Sequence, residues 1–474
     1  MSQENEVRPR MWPAVVIAVV GVAVELGFKQ WGSTNFDSVK GNAVTPLLMS
    51  IAALVWWLLF SRVPWRDRFI GLALFLVAGA AVLFSQGGDR YKGGIFLAGA
   101  LPFLTAGSIL VLTLAAVFPW PVRRLLAVGY LVLSVAVFSM MHVVTVASDF
   151  TAVTQWRWEQ HAASGAAPTT SAVHGTAQVP AQAGPSDWPG FRGPNRDASV
   201  PGTFATNWAT PPKPLWKRPV GAGHSSMAVV GDYLFTLEQQ GGDELVSCYS
   251  AKTGEPVWTN AVKAKHDDAM GGEGPRSTPT FANGKIYAQS AGGLLQCLDA
   301  ANGTVVWKQD LTTKDAPNPP MYGFSSSPMV LGDLVIAYAD GAGRHDLVAF
   351  NAATGAEVWS AAKGTGGYSS PQLFTLEGVP QVLLLNSVGL QSFTPDKGTQ
   401  LWQYEFKQKQ FPRCVQPLHD GKGGFALGLT TDFGSKLARV TKSGDTWTAK
   451  EEWSNEKHRP YFNDDVGHKG AMYG

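Results

Sequence analysis

An all-α membrane domain of about five helices followed by an all-β propeller is the fold class this sequence predicts, and three features predict it. Five long apolar runs fill the first third of the chain, a stretch rich in Ala, Ser, Thr and Pro follows, and the remainder repeats one glycine-tryptophan pattern four times. At 474 residues the chain exceeds one ordinary domain. Its boundaries are read as a tail over 1–10, a five-helix domain over 11–147, a flexible linker over 148–185 and a propeller over 186–474.

The apolar runs are Met11 to Phe28, Ala43 to Phe60, Phe69 to Phe84, Ile95 to Phe118 and Leu125 to Ala147, and Glu25 is the one charge inside them. Most reach the roughly 17 to 25 residues that cross a bilayer. Arg8, Arg10, Arg62, Arg66, Arg68, Arg123 and Arg124 fall in the tail and the even-numbered connections, against Lys29, Lys40, Arg90 and Lys92 in the odd ones. Positive residues stay inside, so the N-terminus is predicted cytoplasmic and the propeller outside, which in a bacterium is the periplasmic side of the inner membrane. The first run reads as a retained helix, because four more spans follow it and it has no small-residue cleavage site. His142 is the one histidine of this half, so a bis-histidine haem cannot be built from it. Ala162 to Pro185 lacks the apolar surface needed to offset its ordering entropy and reads as a tether, with the folded domain starting near Ser186. A net charge of +2, with no basic cluster interleaved with aromatics, gives no reason to expect nucleic acid.

The repeat copies place Gly254 before Trp258, Gly303 before Trp307, Gly355 before Trp359 and Gly398 before Trp402, four residues apart each time. Trp216 and Trp453 extend the series, with intervals of 42, 49, 52, 43 and 51 residues. That period suits one four-stranded sheet per repeat. Eight residues before the tryptophans stand Ser250, Asp299, Asn351 and Thr394, whose side chains cap turns. The glycines suit hairpins needing positive φ, and Val257, Val306, Val358 and Leu401, just before each tryptophan, suit a buried strand. The tryptophans are expected between neighbouring blades. Segments such as Ser277 to Ser290 and Ser326 to Ala339 read as inner strand pairs joined by Asn-Gly or Gly-Asp turns, opened by small residues where blades converge.

This pattern resembles the pyrroloquinoline-quinone (PQQ) repeat over roughly Asp187 to Gly474, and Asp187 to Asp197 is similar to the opening segment of such propellers. The resemblance covers both quinoprotein dehydrogenases and cofactor-free propellers like the lipoprotein subunit of the outer-membrane assembly machinery. Propellers of this type usually have eight blades, whereas six tryptophans mark about six here, which implies a propeller incomplete at its C-terminal end.

A quinoprotein dehydrogenase needs a stacking aromatic, carboxylates and amides for Ca²⁺ and an aspartate base, and no compact set of this kind stands out. Cys248, Cys297 and Cys414 include no adjacent pair. Cys248 and Cys297, each ten residues before a tryptophan, read as small core residues. The candidate ligand-binding residues are Glu273 and Arg276, in the connection Lys265 to Pro279, and Asp464 and Asp465, in the corresponding later connection. They are expected near the mouth of the central channel. No metal site is expected: His224, His345, His419 and His468 lack ligand spacing, and Gly241 to Leu245 and Asp340 to Asp346 are turn compositions. Two functions fit these residues. One is a membrane-anchored periplasmic scaffold without a cofactor that binds envelope proteins or peptides. The other is a PQQ- and Ca²⁺-dependent dehydrogenase that oxidises an alcohol or sugar and reduces membrane quinone.

Overall fold

The computed structural model describes residues 9–31, 40–87, 90–146, 151–159, 175–200, 207, 213–268, 271–312, 319–339, 347–361, 366–406, 414–428, 434–460 and 462–474. The chain divides into two compact units, Met1–His161 with Asp268–Gly272, and Ala162–Asp267 with Glu273–Gly474.

The first unit is helical: α1 (Trp12–Trp31), α2 (Thr45–Leu59), α3 (Trp65–Phe84), α4 (Arg90–Pro102), α5 (Ser108–Leu114) and α6 (Trp120–Ser139). A π turn, Lys40–Val44, leads into α2, and another, Phe103–Gly107, joins α4 to α5. The second follows Pro102, whose ring cannot supply the N–H that a continuing helix needs. Tyr130 of α6 donates its hydroxyl hydrogen to the Phe103 carbonyl at 2.8 Å. Four stretches, 40–59, 65–84, 92–117 and 120–139, are long and apolar enough to cross a membrane, and Trp12–Phe28 is a shorter apolar helix.

Basic residues gather at one end of this unit. Arg10 donates its backbone N–H to Ser61, while Asp67 at the start of α3 accepts from Trp120 Nε1 at 2.6 Å and Arg124 at 2.9 Å, both at the start of α6. At the other end Gln86 accepts from the Val143 N–H, and the Arg157 guanidinium donates to the Ser139 carbonyl. The fifth apolar run departs from the expected helix. It stops at Ser139, and Met141–Val146 pairs antiparallel with Ala152–Trp156. Val143, Val144, Thr145 and Val146 are β-branched in succession, a sequence that loses side-chain freedom in a helix and fits a strand.

The second unit contains five four-stranded antiparallel sheets, each a simple meander. The first comprises Ala228–Val230, Tyr233–Gln240, Asp243–Ser250 and Pro256–Lys263, and the second Thr280–Ala282, Lys285–Gln289, Leu294–Asp299 and Val305–Asp310. The third is Met329–Leu331, Leu334–Tyr338, Leu347–Asn351 and Glu357–Ala361, and the fourth Gln372–Leu376, Val379–Leu385, Gly389–Phe393 and Gln400–Glu405. The fifth is Leu418–His419, Gly424–Gly428, Ser435–Ser443 and Thr446–Asn455. A two-stranded hairpin, Val466–His468 with Ala471–Tyr473, follows. Meanders of this kind fit a β-propeller.

Each of the four repeat tryptophans lies in the outermost strand and is buried. The first three reach the turn of the next sheet. Trp258 Nε1 donates to the Ala300 carbonyl at 3.0 Å, Trp307 to Ala352 at 2.8 Å and Trp359 to Pro395 at 3.0 Å. Trp216, outside any strand, makes the same bond to Ala251 at 2.9 Å. The repeat glycines sit under these indoles. A Cβ on Gly303 would come within 2.4 Å of Trp258, and one on Gly355 within 2.7 Å of Trp307. Their φ values, +71° and +74°, also favour glycine, so each is constrained twice. The turn residues cap as expected: Asp299 accepts from the Ala301 N–H, and Asn351 from those of Ala353 and Thr354.

The residues just before the tryptophans differ from expectation. Val306 is 46 % and Val358 50 % exposed, and Val257 and Leu401 are only half-buried. The ladder explains this. Cys297 faces Trp307 but Leu298 faces Val305, so Val306 is the extra residue of a β-bulge. The same register shift leaves Val257, Val358 and Leu401 unpaired in their sheets. A bulge turns the tryptophan toward the next sheet and its predecessor outward. Cys248 and Cys297 are the cross-strand partners of Trp258 and Trp307, fully buried and free, where a small side chain leaves room for the indole.

Trp402 and Trp453 mark a change in the series. Trp402 donates to Gln381 Oε1 at 2.7 Å within its own sheet, and Trp453 is 37 % exposed on the last strand of the fifth. The tether expectation narrows as well. Gly175 and Ala177 donate their N–H groups to Val257 and Ala301, and Ala177 is buried beside Trp258, so the chain is attached to the sheets well before Ser186. Residues 160–174 of the linker, together with 147–150, lie outside the described residues, as do Asp340 to Asp346 with His345.

Candidate functional site

Small residues at the start of each inner strand do more than save space. Two positions before the inner strands stand Ser226, Thr278, Ser327, Ser370, Gln416 and Asp464. Each after Ser226 takes a hydrogen bond from the backbone of its predecessor: Ser226 N–H to Thr278 Oγ1 at 3.3 Å, Thr278 N–H to Ser327 Oγ at 2.9 Å, and Ser327 N–H to Ser370 Oγ at 2.9 Å. Gln416 continues the run, its amide oxygen accepting from the Ser370 N–H and its nitrogen donating to the Ser370 carbonyl, 2.9 Å each. Gln416 N–H then donates to Asp464 Oδ1 at 2.6 Å. This ladder links the inner strands of all five sheets and the last hairpin, and it satisfies N–H groups that sheet pairing does not reach.

The opening segment Asp187 to Asp197 lies across these strands. Trp188 pairs with Val229 of the first sheet and the Pro189 carbonyl accepts from Phe281 of the second. Arg196 donates to the Ser327 and Pro328 carbonyls of the third sheet, 3.0 Å each. Arg192 pairs with Asp464 and also donates to the Asp465 carbonyl. Burial, and then the neighbouring Arg192 charge, pull the Arg196 guanidinium down to about 9, so it stays cationic at neutral pH. Two half-buried arginines thus bond to the starts of the inner strands, a role that the series of tryptophans does not signal.

Four positions before the inner strands stand His224, Arg276, Ser325, Tyr368, Cys414 and Phe462. Arg276 donates to the Tyr322 carbonyl at 3.0 Å and lies over the Tyr322 ring at 5.8 Å. Tyr322 meets Tyr368 and Phe462 edge to face, at 5.5 and 6.3 Å. Phe462 and Met321 are more than half exposed. The result is an arginine-aromatic collar at the start of the inner strands, carried by connections of the second, third and fourth sheets and the last hairpin.

The four candidate residues are placed as follows. Arg276 belongs to the collar, and Glu273, three residues before it, is exposed. Asp464 is bound to Arg192 and Gln416, and Asp465 lies 2.9 Å from His458 Nε2. The contacts that define the site come instead from Arg192, Arg196, Tyr322, Tyr368 and Phe462. Their sequence signal is positional, a fixed offset from each inner strand, and it emerges only once strand starts are known.

Turn, bulge and inter-sheet tryptophan recur together, and with the four-stranded meanders they fit the class of β-propellers. Within that class it is similar to BamB. Residues 205–380 match the family model described as outer membrane protein assembly factor BamB. BamB of Shewanella oneidensis is 26 % identical over 213 residues, covering 44 % of this chain and 50 % of that protein. BamB of Aliivibrio fischeri is 38 % identical over 58 residues, 12 % of this chain and 14 % of that one. The chain thus spans about half the length, or less, of the curated relatives it matches. Among solved structures, BamB from Moraxella catarrhalis aligns with a TM-score of 0.35 at 14 % identity over 52 % of this chain and 65 % of its own. A europium-containing methanol dehydrogenase aligns with a TM-score of 0.43 at 15 % identity, over 59 % of this chain and 62 % of its own.

Proposed function

We propose that this protein is a membrane-anchored scaffold whose propeller-type unit stands in the periplasm and binds an envelope protein or peptide through the arginine-aromatic collar. The observation that carries this reading is the commitment of the inner-strand groups to the protein itself. Arg192 and Arg196 are bonded to groups at the starts of the inner strands, and Asp464 and Asp465 are engaged with Arg192 and His458. A Ca²⁺-bound quinone needs carboxylates and amides turned toward it. The positions His224, Arg276, Ser325, Tyr368, Cys414 and Phe462 offer no carboxylate, which supports the reading without that group. An arginine among aromatic rings, with Met321 and Phe462 exposed, is the composition of a protein-binding hot spot. Matches to proteins described as outer membrane assembly factors support a protein partner.

Exposed apolar side chains around the helices, among them Leu47, Ile51, Phe69, Val77, Leu110, Leu125 and Val132, support the anchor. Clustering of Arg10, Arg68 and Arg124 at one end supports a cytoplasmic N-terminus. The deciding experiment places a photoreactive amino acid at Phe462 or Met321 of the full-length protein in its native membrane. Crosslinks to one envelope protein, weakened by Arg276→Ala, are expected. Absence of any crosslinked partner, together with micromolar binding of added PQQ and Ca²⁺ and dye reduction with alcohols or sugars, would replace the scaffold by the dehydrogenase.

A further inference from the structure

A cavity of about 110 Å³ lies inside the helical unit, between α2, α3, the Phe103–Gly107 turn with α5, and α6. Its wall includes Trp56, Trp57, Phe75, Leu112 and Leu131, and it is apolar apart from a few donor groups. Trp57 Nε1 is satisfied by the Arg68 carbonyl at 2.9 Å, and Ser108 Oγ by the Leu104 carbonyl at 2.5 Å. Trp56 is different. It is 96 % buried, and its Nε1–H has no hydrogen-bond partner among the described residues. Ser50 Oγ and Thr105 Oγ1, also on the wall, are 2.7 Å apart. Whichever of them donates, that bond uses one hydroxyl hydrogen and leaves the other.

The wall therefore presents the Trp56 Nε1–H, unpartnered among the described residues, beside a second hydroxyl hydrogen. An orphaned N–H surrounded by hydrocarbon costs about 1–3 kcal/mol. A molecule that supplies an acceptor and is otherwise apolar satisfies both surfaces. The π turn fits the same picture, since such turns open a helix locally and are frequent where ligands bind.

We infer that this cavity is a binding site for an apolar membrane compound carrying one carbonyl, whose oxygen accepts from Trp56 Nε1–H or from the Ser50–Thr105 pair. The volume holds one ring or a few methylenes, so the rest of the ligand runs out between the helices. The inference rests on the membrane reading above. An acyl ester and a ring ketone both present this chemistry.

The test uses the full-length protein in lipid nanodiscs with a phosphatidylcholine bearing a diazirine on its acyl chain. Label is expected to concentrate on peptides covering 45–59 and 103–114. Methyl decanoate should displace it about tenfold better than decane, the worth of one hydrogen bond in an apolar site. Trp56→Phe, which keeps the ring and removes the N–H, should reduce that preference, and Ala53→Phe should lower labelling by filling the cavity. Comparing methyl decanoate with a decyl-substituted cyclohexenone tells whether ester or ring ketone is preferred. Label spread evenly over Leu47, Leu110 and Val132, or equal displacement by decane in the unmodified protein, would overturn the inference even if the variants failed to fold. Alkaline carbonate extraction separates the two readings: release from the membrane sinks the anchor, whereas retention without cavity labelling sinks the site alone.

Discussion

Trp258 is the residue on which the most local structure converges: it is fully buried, bonded to Ala300, stacked on Gly303 and paired across its sheet with Cys248. Trp258→Ala is expected to cost about 3–5 kcal/mol, and exposed Trp453→Ala under about 1 kcal/mol, read as shifts in the denaturant midpoint. Glycines of equal φ separate two effects. Gly284 has φ +69° with nothing within 4 Å of an added Cβ, so alanine there should cost only the roughly 1–2 kcal/mol of a left-handed residue. Gly303→Ala adds a 2.4 Å clash with Trp258 and should cost clearly more. Glu244 supplies the pH term. Burial raises its pKa above 4.5, against the opposing pull of the Ala291 N–H and His266. A carboxyl with a raised folded pKa binds its proton more tightly when folded, so its stability contribution is largest below about 4.5 and declines as pH rises through the folded value. Glu244→Gln keeps an acceptor for Ala291 and should flatten that decline, with higher thermal midpoints at pH 7 than the unmodified protein.

At the scale of elements, the inner-strand ladder and the Asp187 to Asp197 segment join sheets that pair only within themselves. Arg192→Met removes the partner of Asp464, to which Gln416 is also bonded. Faster hydrogen exchange is expected in Val466–His468 and Ala471–Tyr473, with the first sheet unchanged, because its contacts run through Trp188 and not Arg192. Equal exchange in both would show that the arginine does not fasten the last hairpin. The bulge before each tryptophan is likewise an element-scale feature. Val306 and Val358 read as buried strand residues from their type alone, whereas the register shift that turns them outward depends on pairing with a strand nearly ten residues away.

For the whole molecule, the basic residues in the tail and in alternate connections predict one orientation. A phosphatase active only outside the cytoplasm, fused after Pro185, should be active, and charge-neutralising substitutions at Arg62, Arg66, Arg123 and Arg124 together should lower that activity. Activity absent from the original fusion would place the sheets on the cytoplasmic side. Much of this organisation was legible in the chain: apolar runs locate the helices, although the Phe103–Gly107 turn divides the fourth run and the fifth passes beyond Ser139 into a strand, and the glycine-tryptophan spacing locates the outer strand of four sheets. The candidate site was less so. Arg276 was found because a glycine-rich connection precedes an inner strand, while Arg192, Tyr322 and Phe462 carry no local signal of their neighbours.

Turns, bulge-prone valines and apolar spans obey short-range rules, since backbone sterics, capping and transfer from water act over a few residues, and so the sequence by itself determined the elements and their repeat. Tertiary structure alone decided which of them meet. Asp464 faces Arg192, Trp56 Nε1 has no hydrogen-bond partner among the described residues, and Arg196 bonds the third sheet's Ser327 and Pro328 carbonyls because contacts between residues far apart in the chain depend on packing, which no local pattern encodes.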